Sequence, residues 1–400
     1  MKGLAKDREQ PLDGLKVLDF TRLLPGPVCT MLLGDYGAEV IKVEDVNAGD
    51  LSRFVGPFIE GSGSFFRQLN RNKKSVALNL KTPEGKAIAL KIAADCDVVV
   101  EGFRPGVMDR LGLGYDDLIK INPALVYAAI TGYGQSGPYR GRAGHDLNFC
   151  ALSGLLDLSA EENGAPVMPA VQLGDMLGGT MMAFSGILLA LYSRERSGKG
   201  SFVDVSMTRG LLPLLAYAAT GLLGDRGLPR RGAAEMSGGS AYFNIYETAD
   251  GKYMSLCAVE PVFWGAFCQT AGREDWINLQ HEKEAQEGLI AEIRAMFKRK
   301  SRGEWEEIFS GVEACCEPVL NLFEAIEHPV NADGITWIDG ASIETGREKL
   351  TGFPLVFSGQ PGSFRLPPPL HGQHTGEVLT KLGLSSEELS ELETSGVIKR

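Results

Sequence analysis

Several patterns that would fix this chain to a common chemistry are missing. There is no G-x-S-x-G elbow, no Walker loop and no metal-ligand spacing, which sets aside the usual serine hydrolases, nucleotide triphosphatases and zinc enzymes. The seven cysteines, Cys29, Cys96, Cys150, Cys257, Cys268, Cys315 and Cys316, are odd in number and hold no C-x-x-C pair. That excludes a disulfide framework, gives no support to a structural zinc, and fits a reducing cytoplasmic compartment; Cys315–Cys316 is expected to be packing. Basic charge is in deficit: 40 Lys and Arg against 51 Asp and Glu, a net charge of −11. Nucleic acid and anionic membrane are therefore not expected as partners, and a phosphate ligand must be held by local cations. Long apolar runs are lacking too. The longest, Met176–Tyr192, has 17 residues and three glycines, short against the ~20 of a membrane span, and reads as a buried helix. The opening MKGLAKDREQ has no apolar segment, so a cytoplasmic location is expected.

What is present is a large globular chain: 400 residues, 44% hydrophobic, enough for two domains. Strand patterns at Leu15–Phe20, Glu39–Val43, Ser75–Leu80, Asp97–Glu101, Leu125–Ile130 and Phe202–Met207 alternate with helical ones at Val28–Tyr36 and Pro83–Ala94. This βαβ rhythm predicts an α/β fold with a Rossmann-like parallel sheet. Asp45–Asn70 reads as a long loop, and Asn70-Arg71-Asn72-Lys73-Lys74 as a basic cluster that is either a solvated loop or a phosphate contact. Gly132-Tyr133-Gly134-Gln135-Ser136-Gly137 is a formal G-x-G-x-x-G, but Pro138 and a polar loop follow where a dinucleotide site needs a helix, so it is expected to line a cleft. Residues 221–239 resemble a linker. Ala241–Glu247 and Tyr253–Ala258, around Asp250-Gly251, give a hairpin, and helices are expected near Val262–Ala271, Glu284–Lys300 and Gly303–Phe309. The expected division is a large domain over 1–220, a smaller α+β domain over 225–325, and a segment 330–400 returning to the large domain. A capping box, Ser385 to Glu388, opens the last helix.

The stretch from Gly144 to Asp175 carries the candidate chemistry. His145 and Asp175 stand 30 residues apart in neutral, glycine-rich or apolar settings. Taken singly, His145 reads as a structural histidine opening the apolar pattern Leu147, Phe149, Ala151, Leu152, Leu155, and Asp175 as the N-cap of the helix that follows. Taken together they can be the two ends of a proton transfer, with Gly174, Gly178 and Gly179 leaving room for a substrate. Glu260, before Pro261, is a helix-start charge or a carboxylate that orients the histidine. Arg104, where the Asp97–Glu101 strand ends, is an anion contact by position.

The chain resembles the class III CoA-transferase superfamily, which includes α-methylacyl-CoA racemases, through DGLKVLDFTRLLPGPVCTMLLGDYGAEVIKVE, NRNKKSVALNLK, EGFRPGVMDRLGLGYDDL, TGYGQSGPYRGRAGHDLN and GDMLGG. The resemblance implies an interlocked homodimer and an acyl-CoA substrate, with no cofactor beyond the CoA the substrate carries. It implies a CoA path over Asn79, Leu80, Lys81, Gly102, Phe103 and Arg104, with Gly144 and Asn148 near the thioester. Asp45 stands where racemases carry an arginine, so Lys42, Arg53 or Arg71 is expected to take over its phosphate contact. Gly144-His145-Asp146-Leu147-Asn148, then Asp175, then Val259-Glu260-Pro261, match the racemase pattern, in which His145 and Asp175 move the α-proton of a 2-methyl-branched acyl-CoA and Glu260 supports His145. In the transferase alternative Asp175 is a nucleophile that forms an aspartyl-CoA thioester, and backbone N–H groups at the start of its helix are expected to steady an enolate only in the first case.

Overall fold

The computed structural model describes residues 10–160, 164–220, 231–332, 335–340, 348–358 and 360–400. Residues 221–230 of the expected linker and 161–163 of the loop before Asp175 lie outside them. The chain divides into two compact units: one of Met1–Ser153, Val171–Pro213 and Pro329–Arg400, the other of Gly154–Ala170 and Leu214–His328.

The first unit is built on β1 (Lys16–Asp19), β2 (Glu39–Asp45), β3 (Lys73–Leu78), β4 (Val98–Glu101), β5 (Val126–Thr131) and β6 (Ser201–Ser206). They form one parallel sheet in the order β3-β2-β1-β4-β5-β6, and Ile398–Lys399 adds an antiparallel edge against β3. β4 and β5 are buried along their whole length, as expected of strands covered on both faces. One face packs Ile88, Ala89, Ile92 and Ala93 of the helix Pro83–Ala94 with Val378 and Leu379. The other packs α1 (Pro25–Asp35) and the helix Gly174–Ser197 through Leu32, Leu33, Ala183, Phe184 and Ile187. Gly174–Ser197, with 24 residues and mean hydropathy 1.5, is the one helix among the described residues long and apolar enough to cross a membrane by length and composition; here its buried stripe forms the sheet's second layer.

In this strand order the chain reverses direction across the sheet between β1 and β4. Their carboxyl ends therefore border the crevice where doubly wound folds hold ligands.

Two expectations are overturned. Asp45–Asn70 is not an open loop: it carries a turn of 3₁₀ helix, Leu51–Phe54, a short Phe58–Ile59/Ser62–Gly63 hairpin and the helix Ser64–Leu69. The basic cluster is neither solvated nor a phosphate contact, because Arg71 and Lys73 are fully buried. Arg71 makes a two-pronged pair with Asp35 (2.9 and 2.6 Å) and donates to the carbonyls of Thr351 and Gly352. Lys73 donates to Asp19 (3.1 Å), Asn70 and the Pro27 carbonyl. Burial brings the Lys73 ammonium down to about 8. Charges this deep survive only where every donor is matched.

The second unit carries a three-stranded antiparallel sheet, with β8 (Tyr253–Cys257) between β7 (Phe243–Glu247) and β9 (Cys316–Pro318). The helices Pro261–Thr270, Gln286–Phe297 and Arg302–Phe309 pack Trp264, Phe267, Phe297, Trp305 and Phe309 against it. The unit also takes in Gly154–Ala170, upstream of the boundary that composition suggested.

Candidate active site

The helix that carries Asp175 begins with a π-helical stretch, Gly174–Met181, and continues as the α-helix Met182–Ser197. Such widened turns recur at functional sites. Asp175 is not the N-cap that its position suggested; it lies inside the first turn, and its side chain caps nothing. The helix is fixed by close contact. A Cβ on Gly178 would stand 2.1 Å from the Met207 carbonyl oxygen, and one on Gly179 would meet Pro25 and Met207. These glycines therefore let backbone approach backbone, and the space once expected for substrate is filled by Met207. Gly174 is likewise backed by Asp146 and Phe149.

His145 precedes the short helix Asp146–Ser153. Its N–H donates to Asn148 Oδ1 (3.0 Å) and its carbonyl accepts from the Asn148 N–H (2.8 Å). The imidazole is left exposed. Asn148 thus closes the first turn and fixes the backbone that presents His145. The helix buries Phe149, Cys150 and Ser153, while Leu147 and Leu152, expected in its apolar face, are exposed. Gly144 lies against Tyr133 and Phe149, whose rings meet edge to face.

Asp146 joins the two motifs. Its Oδ1 accepts the Asp175 N–H (2.9 Å), and its Oδ2 lies 3.8 Å from Cys150 Sγ. The residue after His145 therefore grips the backbone of Asp175 across 29 residues of chain, which leaves His145 near enough to act electrostatically on the Asp175 carboxyl. Burial first, then the Asp146 charge, pushes the Asp175 carboxyl up to about 6; His145 pulls the other way. Asp146 was legible as the third letter of G-H-D, yet nothing in the sequence marked its partner. Two of the expected enolate-binding amides are engaged elsewhere: the Asp175 N–H goes to Asp146 (2.9 Å) and that of Met176 to the Gln172 carbonyl (2.9 Å).

This shift predicts a stability effect. The folded pKa of Asp175, about 6, lies above the ~3.9 of an unfolded aspartate. The group's contribution to folding is complete below the unfolded value and lost as pH rises through the folded one. Asp175→Asn is expected to stabilise the protein by up to about 3 kcal/mol near pH 8 and by little near pH 4.5. Urea denaturation at the two pH values checks it, and an equal effect at both contradicts it.

At the carboxyl ends of β1 and β4, the Arg22 guanidinium lies over the Phe103 ring, 5.1 Å from its centroid. The Phe103 N–H donates to Glu101 Oε2 (2.7 Å). Burial pushes the Glu101 carboxyl up to about 8. Gly102 and Arg104 are exposed. Beyond β3, Asn79 Oδ1 accepts the Lys81 N–H, Leu80 packs on the core, and Lys81 is exposed. Burial raises the Asp45 carboxyl, but the N–H groups of Ala48 and Asn47, then the Arg22 and Lys81 charges, hold it below its ordinary range. The cations expected to replace an arginine at Asp45 are all engaged elsewhere. Lys42 pairs with Asp50 (2.9 Å), Arg53 with Glu44 (2.7 Å) and Arg71 with Asp35 (2.6 Å), each with its side chain buried. Arg22 and Lys81 are exposed cations whose charges act on Asp45, and the sequence signal for Arg22 was its place shortly after the first strand.

In the second unit, Glu260 occupies the N-cap position before Pro261–Thr270; its carbonyl accepts the Phe263 and Trp264 N–H groups, and its exposed carboxylate caps nothing. Among the described residues there is no cluster able to hold a metal ion.

The model of CoA-transferase family III matches residues 12–375. The chain is 36% identical to the succinyl-CoA:glutarate CoA-transferase of Mus musculus, covering 98% of this chain and 92% of that one. It is 35% identical to the α-methylacyl-CoA racemase of the same organism, covering 97% of each. The crystal structure of a CAIB/BAIF family protein from Brucella suis superposes with a TM-score of 0.81 at 29% identity, covering 94% of this chain and 100% of that one.

Proposed function

The chain belongs to CoA-transferase family III, and from that premise we propose that it epimerises the α-carbon of a 2-methyl-branched acyl-CoA. One observation carries this reading: Asp146, the neighbour of His145, holds the backbone N–H of Asp175, whose carboxyl is pushed up to about 6 by burial and is acted on by His145. A thioester spreads the charge of a departing α-proton onto its oxygen. A base on one face removes that proton, and the conjugate acid on the other returns one. An imidazole on one face and a carboxyl raised to about 6 by its burial on the other suit the two ends. Glu260 has an exposed carboxylate that caps no helix, in keeping with the orienting role that the resemblance implies. The reaction as proposed needs no cofactor.

A second reading is CoA transfer to a free carboxylic acid. It is favoured by the transferase relative, as similar to this chain as the racemase is. Asp175 would then attack the acyl carbonyl and expel the CoA thiolate, giving a mixed anhydride; the thiolate would attack the Asp175 carbonyl, releasing the acyl group as its free acid and leaving an aspartyl-CoA thioester. Incubation with branched acyl-CoAs in deuterated water separates the two. Label at the α-carbon without an added acid supports epimerisation. Thioester exchange that requires an added acid, with Asp175 trapped by hydroxylamine, overturns it.

The reading also places the CoA phosphates at the crevice between β1 and β4, on Arg22, Lys81 and Arg104, with Asn79, Leu80, Gly102 and Phe103 beneath the chain. Arg22→Ala is expected to raise KM for an acyl-CoA about tenfold and to leave KM for the corresponding acyl-pantetheine, which lacks the nucleotide, unchanged. An equal rise for both would remove Arg22 from the phosphate site. We further infer a homodimer, in a cytoplasmic location. Leu189 and Tyr192 in the first unit and Val262 and Phe323 in the second leave 67–83% of their surface exposed, apolar surface that a partner subunit would cover. Light scattering at the mass of a single chain, 43.1 kDa, would refute it.

A further inference from the structure

The second unit holds a pair of thiols that neither reading uses. In its sheet Leu256 of β8 lies opposite Cys316 of β9, and both point into the core. One step further along, the Cys257 N–H donates to the Cys315 carbonyl (2.9 Å). Cys257 ends β8 and Cys315 stands immediately before β9; both are exposed, and Cys257 is among the groups that act electrostatically on the Cys315 thiol. The expectation that Cys315–Cys316 is packing holds for Cys316 alone.

Directly opposed residues of an antiparallel pair have Cα atoms roughly 4.5–5.5 Å apart. A disulfide spans Cα separations of about 4.4–6.8 Å. Cys315 adopts φ +48°, a left-handed conformation unusual for a residue other than glycine. A bridge here would join adjacent strands through a distorted backbone, and strained, exposed bridges are the readily reduced kind. Burial and then the Glu260 charge push the Cys315 thiol up, and burial does the same at Cys257. Neither thiol is an activated nucleophile, so their proximity is what distinguishes them.

We propose that Cys257 and Cys315 are a reversible oxidation site, closed to a disulfide by a small-molecule disulfide such as oxidised glutathione. One cysteine thiolate attacks a sulfur of the oxidant; the S–S bond breaks, and one glutathione leaves as its thiol. The second cysteine attacks the protein sulfur of the mixed disulfide and expels the other glutathione. Two protein thiols lose two electrons and two protons, and one oxidised glutathione becomes two reduced ones. The bridge would tie the end of β8, three residues before Glu260, to the start of β9. The Val259 N–H, bonded to the Cys257 carbonyl (3.0 Å), lies between the bridge and that residue.

The test uses the full chain treated with oxidised glutathione, alkylated and digested without reduction. The expected product joins the Cys257 and Cys315 peptides, lighter by two hydrogens than their sum, and is restored by dithiothreitol. Alkylatable thiols in the denatured protein fall from seven by two. Cys257→Ser and Cys315→Ser, both at exposed positions, should each stop the loss of hydrogens and leave the remaining partner free or glutathionylated. Stable glutathione on both residues of the unaltered protein, a Cys315–Cys316 bridge, or full alkylation of both thiols would overturn the proposal.

Discussion

His145→Ala and Asp175→Asn are expected to abolish α-deuterium uptake from opposite enantiomers of one acyl-CoA. In a two-base epimerisation each base deprotonates only the enantiomer whose hydrogen faces it. Removing one end should lower exchange from that enantiomer by about 10²–10⁴-fold and spare much of the exchange from the other. Net interconversion, which needs both ends, should fall by a similar factor in either variant, and the double variant should be little worse than the singles. The measurement is mass-resolved label uptake from each pure enantiomer. Equal losses from both enantiomers in both variants would contradict a two-base site. The stabilisation expected of Asp175→Asn guards the result: a variant that is inactive yet more stable near pH 8 has lost chemistry rather than fold.

The largest expected effect on stability lies away from the site. Arg71→Ala removes one half of a fully buried pair, leaving Asp35, among the described residues, with Asn72 as its side-chain partner (2.7 Å) and freeing the carbonyls of Thr351 and Gly352. An uncompensated buried carboxylate costs about 3–5 kcal/mol. Burial already outweighs Arg71 and holds the Asp35 carboxyl above its ordinary range, so without the guanidinium it should take up a proton on folding. The variant should then lose less stability at low pH than at neutral pH. A loss under about 1 kcal/mol, as for a surface ion pair, would show that Arg71 is not the pin that joins the Thr351 segment to α1.

Much of the fold was readable locally. The helix Pro83–Ala94 begins at its Pro and is capped by Thr82, whose side-chain oxygen accepts the Gly85 N–H (3.1 Å). The box at Ser385 and Glu388 closes as its spacing implied. Strand boundaries moved by one or two residues. The third strand of the small sheet, Cys316–Pro318, was missed because three residues carry no period. At the site, the sequence offered His145 and Asp175 as candidates but not what ties their segments together. That tie is Asp146, which accepts the Asp175 N–H and whose carboxylate could have served any neighbouring amide.

What the sequence determined by itself was the alternation of strands and helices, and with it a parallel sheet, since hydrophobic period, caps and turn residues act over a few positions of chain. The tertiary structure alone decided where the charges went. Arg71 finds Asp35 at a separation of 36 residues and Lys73 finds Asp19 at 54, and those pairings turn an apparent anion site into a structural pin while leaving Arg22 and Lys81 accessible. A charge's role depends on the partner and the burial it meets after folding, and neither is written in the residues beside it.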